Sequence, residues 1–146
     1  MSNALILASQ SFSRRAMLDA AGVSYVARPA HVDEGAVKQA LLDEGQPPRA
    51  VADALAELKA LKIAQAEPGA LVIGSDSVVS VAGRLFDKPL DRDNAAEHLR
   101  AFSGQTMLLT SAVVLARDGQ DTERWNMLNP TAKKPRVAYV TECLDD

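Results

Sequence analysis

The 146-residue chain is poor in cysteine, in aromatic residues and in long apolar runs. Cys143 stands alone, so the chain can form neither an internal disulfide nor a cysteine-rich zinc site. A lone thiol fits a reducing compartment, and a cytoplasmic location is the expectation. Aromatic residues make up 4% of the chain, too few for the stacking platforms that hold single-stranded nucleic acid. The opening "MSNALILASQ" carries a short apolar run, below the length of a signal-peptide core or a membrane span. No later uncharged stretch reaches spanning length, so no membrane partner is expected. Positive charge is not in excess either. The net charge of -3 argues against a nucleic-acid polymer as partner, although it leaves room for a small basic pocket that takes a phosphate.

What is present suits one globular domain. Apolar residues make up 47% and charged residues 24%, and a chain of this length buries about two-thirds of its unfolded surface. Short apolar runs alternate with helical patterns. "ALILAS" reads as a strand, followed by a helix in "SRRAMLDAAG" that closes at Gly22. "VSYVARP" reads as a second strand, and "EGAVKQALLDEG" as a short helix. "PRAVADALAELKALKIAQAEPG" is a longer helix with proline in its first turn. "LVIGSDSVVS" is a buried strand, "VAGRLFDKP" a strand and turn, and "DRDNAAEHLRAFSG" a helix capped by Asp91 or Asp93. "QTMLLTSAVVLARDGQDTERWNML" reads as two strands about an Asp118-Gly119 turn, and "RVAYVT" in the tail as a further strand. Alternation of this kind predicts an α/β fold.

Four constellations carry chemistry. In "LASQSFSRR" a strand runs into serines and a helix start bearing Arg14 and Arg15. Backbone N–H groups, the hydroxyls of Ser9 and Ser11 and the Arg14 fork make an anion site there. The simpler alternative is that Ser11 or Ser13 caps the helix and both arginines are solvated. In "HVDEG", Asp33 and Glu34 can hold Mg²⁺, which prefers oxygen ligands, or can merely complement a helix dipole. His31 has no second histidine at ligand spacing and is assigned no role. Lys59 and Lys62 share a helix face, either as a solvated stripe or, for Lys59, at the edge of the buried face. Finally, Asp76 interrupts the apolar "LVIGSDSVVS", where an unpaired carboxylate is expensive. Either it ends a strand and meets solvent, or it sits in a cleft with cations, Lys88 of "FDKPL" among them. Such an aspartate can bind a metal or take a proton from water.

In order and spacing, "LILASQSFSRRAMLDAAG", "VDE", "LAELKA", "VIGSDSVV", "GRLFDKP", "AAEHLRAFSGQT" and "TSAVVL" resemble the Maf family of nucleoside triphosphate pyrophosphatases. The resemblance implies hydrolysis of a nucleoside triphosphate to the monophosphate and pyrophosphate. It also implies a mixed, strongly curved sheet flanked by helices, similar to inosine triphosphatase. Ser9 and Arg14, with Arg15 beside them, match the family's phosphate-binding signature. Glu34 matches an acidic metal-site residue, Lys59 and Lys88 match substrate-binding lysines, and Asp76 matches the catalytic aspartate, which also serves the metal. By this resemblance Asp76 ends a core strand inside a phosphate cleft. The implied cofactor is a divalent metal, Mg²⁺ with Mn²⁺ or Co²⁺ as substitutes, and a homodimer is the implied assembly. Ser75 and Ser77 replace the family's usual neighbours of the aspartate. From Asn129 the text departs from the family, which implies an incomplete domain over residues 1–128, a diverged tail over 129–146 and an unfinished second lobe. A homologue that binds nucleotide or a protein partner with little turnover is the alternative reading.

Overall fold

Helices in this chain begin where the sequence offers an acceptor or a proline. The computed structural model, which describes residues 4–118 and the backbone of 137–145, places α1 at Phe12–Ala20 behind Ser11, whose hydroxyl accepts the Arg14 N–H. Helix α2, Glu34–Asp43, starts at Asp33, whose carboxylate accepts the Ala36 N–H. Helix α3, Pro48–Ala66, has proline in its first turn. Helix α4, Arg92–Phe102, is capped by Asp91 through the Asn94 N–H. Of the alternatives open in the sequence, then, Ser11 and Asp91 are the caps.

The strands are β1 (Leu5–Leu7), β2 (Val26–Ala27), β3 (Leu71–Val81), β4 (Arg84–Phe86), β5 (Thr106–Ala116) and β6 (Val137–Asp145). They form one sheet in the order β2-β1-β3-β5-β6, with β4 attached to β3. Strand β1 runs parallel to β2 and β3, and the other pairings are antiparallel. The expected mixed sheet flanked by helices is therefore present. The strand expected in "RVAYVT" is longer than anticipated and lies along β5 from Thr106 to Val114. The second strand expected after the Asp118-Gly119 turn lies outside the described residues.

The core forms between α3 and the centre of the sheet. Val72, Gly74, Asp76 and Val78 on β3 alternate onto the same face as their partners Ala116, Val114, Ala112 and Thr110 on β5, and all of them are buried. Against them α3 presents Ala52, Ala56, Ala60 and Ala64, one residue per turn, each fully buried. Gly74 completes this contact. A Cβ there would fall inside contact distance of the Ala56 carbonyl oxygen and 2.7 Å from Ala60 Cβ. The helix backbone rests directly on the strand, and that fixes the height at which Lys59, next to Ala60, meets the sheet.

Gly74→Val is expected to lower stability by about 3 kcal/mol, read as a fall in the urea midpoint without a change in slope. Ser77→Ala, on the opposite face, removes only a 2.7 Å hydroxyl pair with Ser111 and is expected to cost about 1 kcal/mol or less.

Candidate active site

Strand β3 changes neighbours along one edge. Strand β1 covers Leu71–Ile73 and β4 covers Val79–Val81, while β5 follows the other edge throughout. Among the described residues, positions 74–78 have no strand beside them on the β1 and β4 side. Asp76 is the centre of that gap. The sequence reading placed it at a strand end, and the structure corrects this: β3 continues for five residues beyond it, and only the neighbouring strand ends.

The Asp76 carboxylate points to the α3 side, and its side chain is 9% exposed. Lys59 Nζ donates to Asp76 Oδ1 at 2.9 Å and to Glu34 Oε1 at 2.6 Å. One part-buried ammonium thus joins the start of α2 to the middle of β3, and the two carboxylate oxygens can be no farther apart than these two bonds laid end to end. Asp76 Oδ2 is buried without a hydrogen-bond partner. Burial pushes the Asp76 carboxyl above its ordinary range. The Lys59 bond and charge pull it back, Glu34 pushes it up again, and the Arg14 charge lowers it. The net shift is upward, which makes Asp76 a stronger base than a solvated aspartate.

Beside this pair lies a cleft of about 200 Å³ whose lining includes Ser9, Gln10, His31, Glu34 and Lys59. Asp76 does not line it; Lys59 does, and bonds to it. Ser9 Oγ accepts the Ser11 N–H at 3.0 Å and Arg14 Nη1 at 3.4 Å. The β1–α1 turn thus brings Ser9 to the cleft that Glu34 and Lys59 also line, with Arg14 bonded to Ser9, and cations and N–H groups of this kind favour an anion.

The structure thus unites Glu34, Lys59 and Asp76, and separately Ser9 with Arg14. It does not unite the rest. Arg15 is exposed, and its carbonyl accepts the Tyr25 hydroxyl at 3.2 Å. Lys88 is exposed and makes no ion pair with Asp76 among the described residues; the lysine bonded to that carboxylate is Lys59. Asp33 is taken up by the α2 cap, leaving Glu34 alone of the adjacent acids to reach the site. Two further lysines bond loops: Lys62, read from the sequence only as sharing a helix face with Lys59, and Lys38, which sequence reasoning missed. Lys62 Nζ donates to the His31 carbonyl at 2.6 Å, holding a loop residue whose φ of 51° is left-handed. Lys38 bonds Asp87 at 2.7 Å. The signal for both was present in the spacing, Lys62 three residues after Lys59 and Lys38 four after Glu34.

As a metal site the donor set is small. Among the described residues no cluster of three or more metal-ligating side chains occurs. Two carboxylates with a spare buried oxygen nevertheless fit Mg²⁺, which commonly takes one or two protein carboxylates and completes its shell with water and substrate phosphates.

A family model described as Maf-like protein matches residues 4–138. The chain is 44% identical over 120 residues to nucleoside triphosphate pyrophosphatase 1 of Jannaschia sp. (strain CCS1), an alignment covering 82% of this chain and 61% of that protein. It is 51% identical over 116 residues to a nucleoside triphosphate pyrophosphatase of Sphingopyxis alaskensis, covering 79% and 59%. It is 48% identical over 120 residues to a 7-methyl-GTP pyrophosphatase of Mesorhizobium japonicum, covering 82% and 60%. The chain therefore spans about three-fifths of the length of these relatives. Among solved structures, a HAM1 protein from Coxiella burnetii superposes with a TM-score of 0.54 at 14% identity, covering 97% of this chain and 72% of that one. That likeness is one of fold.

In a ¹³C titration of the folded chain, Asp76 is expected to titrate above the ordinary aspartate value of 3.8. Lys59→Met removes the ammonium that favours the ionised form and should move the midpoint higher still. A wild-type midpoint at or below 3.8 would mean that Lys59 outweighs burial.

Proposed function

The chain belongs to the Maf family, and from that premise we propose that it hydrolyses a nucleoside triphosphate to the monophosphate and pyrophosphate. The observation that carries the proposal is the Lys59 ammonium bonded at once to Glu34 and Asp76 beside an anion-binding turn. In the reaction a water oxygen bonds to the α phosphorus, the bond from that phosphorus to the α,β-bridging oxygen breaks, and pyrophosphate leaves. Asp76 orients the water and accepts its proton, helped by its raised carboxyl. Ser9 and Arg14 bind phosphate oxygens, Lys59 offsets the charge that develops on them, and Arg15 and Lys88 reach the same anion from the exposed rim. Glu34 and Asp76 would hold a divalent cation, Mg²⁺ with Mn²⁺ or Co²⁺ as substitutes, which when bound neutralises phosphate charge and polarises water.

The setting belongs to the same proposal: the cytoplasm, a nucleotide as ligand, no nucleic-acid polymer or membrane as partner, and a homodimer as the assembly. No helix among the described residues is long and apolar enough to cross a membrane. The names of the relatives support including both ordinary triphosphates and 7-methyl-GTP among the substrates tried.

Pyrophosphate release from such a panel with Mg²⁺ is expected for at least one substrate. Asp76→Asn should cut the rate by about 100-fold or more. Chelation should abolish it, and added Mn²⁺ should restore it. No product from folded wild-type chain across the panel would overturn the proposal. Tight triphosphate binding that needs Arg14 but gives no product would favour the binding-only alternative.

A further inference from the structure

One partly buried cation, Lys38, has no part in the reaction just described. Lys38 lies one turn beyond Glu34 on α2, on the same face. Its ammonium bonds Asp87 Oδ1 at 2.7 Å, and its side chain is 22% exposed although that of Asp87 is 75% exposed. Asp87 follows β4 directly and precedes Lys88 and Pro89. The bond therefore ties together two parts of the chain that each carry a residue of the proposed site. A helical turn rises about 5.4 Å, so Glu34 is one turn from this anchor and Lys88 is one residue from it.

The segment after β4 is fixed at both ends by other means. Phe86 meets His98 and Phe102 edge to face, with centroids 5.1 and 4.8 Å away. The Leu90 N–H donates to Asn94 Oδ1 at 3.0 Å. Both sets of contacts tie the segment to α4 and its start. Among the described residues the Lys38–Asp87 bond is the ion pair that ties it to α2. Burial alone would lower the Lys38 pKa, but the Asp87 bond and charge outweigh it, and Asp76 and Glu34 add to the upward shift. Lys38 thus bonds the loop, and the charges of Asp76 and Glu34 also favour its protonated form.

We propose that Lys38 is a positioning residue whose bond to Asp87 holds the Asp87–Pro89 segment against α2 and so sets where Lys88 stands at the triphosphate site. The role in substrate binding rests on the proposed function; the tether itself does not. An ion pair with one partner this exposed adds little to global stability, so its effect is local and shows in substrate affinity.

Hydrogen exchange on the ligand-free chain tests the tether. Lys38→Met and Asp87→Asn should each speed exchange at the Lys88 and Leu90 amides with the melting temperature unchanged, and Lys38→Arg should preserve protection. Unaltered exchange overturns the tether whatever the chain does with nucleotides. With a turned-over triphosphate, each of the two variants should raise KM by about fivefold at constant kcat, and the double variant should do no worse than either. In a Lys88→Met background, Lys38→Met should change nothing further. If Asp87→Asn is silent, or if Lys38→Met still raises KM without Lys88, Lys38 acts on the substrate directly and the positioning role is refuted. Absence of turnover in the wild-type chain refutes the proposed function instead, and exchange then decides the tether alone.

Discussion

A single ammonium between two carboxylates is the interaction on which the rest of the site depends. A carboxylate in the middle of a sheet, facing a helix, is tolerable only with a partner, because desolvation of a lone charge there exceeds what packing returns. Lys59 is that partner for Asp76, and it brings Glu34 with it. Its reach is set by the height of α3 above β3, which is set in turn by alanines on the helix and Gly74 on the strand. Core packing and site geometry are thus one constraint seen at two depths.

Much of this was legible beforehand. Alternating patterns and caps gave the order of strands and helices, since hydroxyl or carboxylate caps and prolines act locally. Glu34, Lys59 and Asp76 were each singled out from the sequence, and the resemblance grouped them, but nothing in their spacing says that one lysine bonds both acids. Such a contact depends on how α2 and α3 lie across the sheet, a tertiary fact. The same limit explains Lys88. Its sequence offset suggested a partner for Asp76, whereas that place is taken by Lys59 from α3, and Lys88 stands exposed after β4. Asp76 at a supposed strand end is instructive in another way. The polar "GSDS" looks like the close of an apolar run, whereas it marks the place where β3 loses one neighbour before gaining the next.

Charge is distributed so that each element contributes one part. The β1–α1 turn brings Ser9 and Arg14, α2 brings Glu34 and Lys38, α3 brings Lys59 and Lys62, and β3 brings Asp76. Loops here are held by lysines bonded to groups far away in sequence: Lys62 to the His31 carbonyl, and Lys38 to Asp87. With few aromatic side chains to clamp these segments, long cationic stems spanning from helix to loop take over part of that work.

The parting of β1 and β4 along one edge of β3 also bears on how such a site can change over time. Its width is the length of strand left uncovered, five residues or roughly 16 Å at the usual rise, so it is written in hydrogen-bond register rather than in loop conformation. A register slip of one residue would turn Asp76 to the opposite face of the sheet. Lengthening β1 or β4 by one residue, by contrast, would narrow the opening by about 3.3 Å and leave Asp76 facing α3. The facing of Asp76 thus depends on the long β3–β5 ladder, and the size of the opening on where two short strands stop.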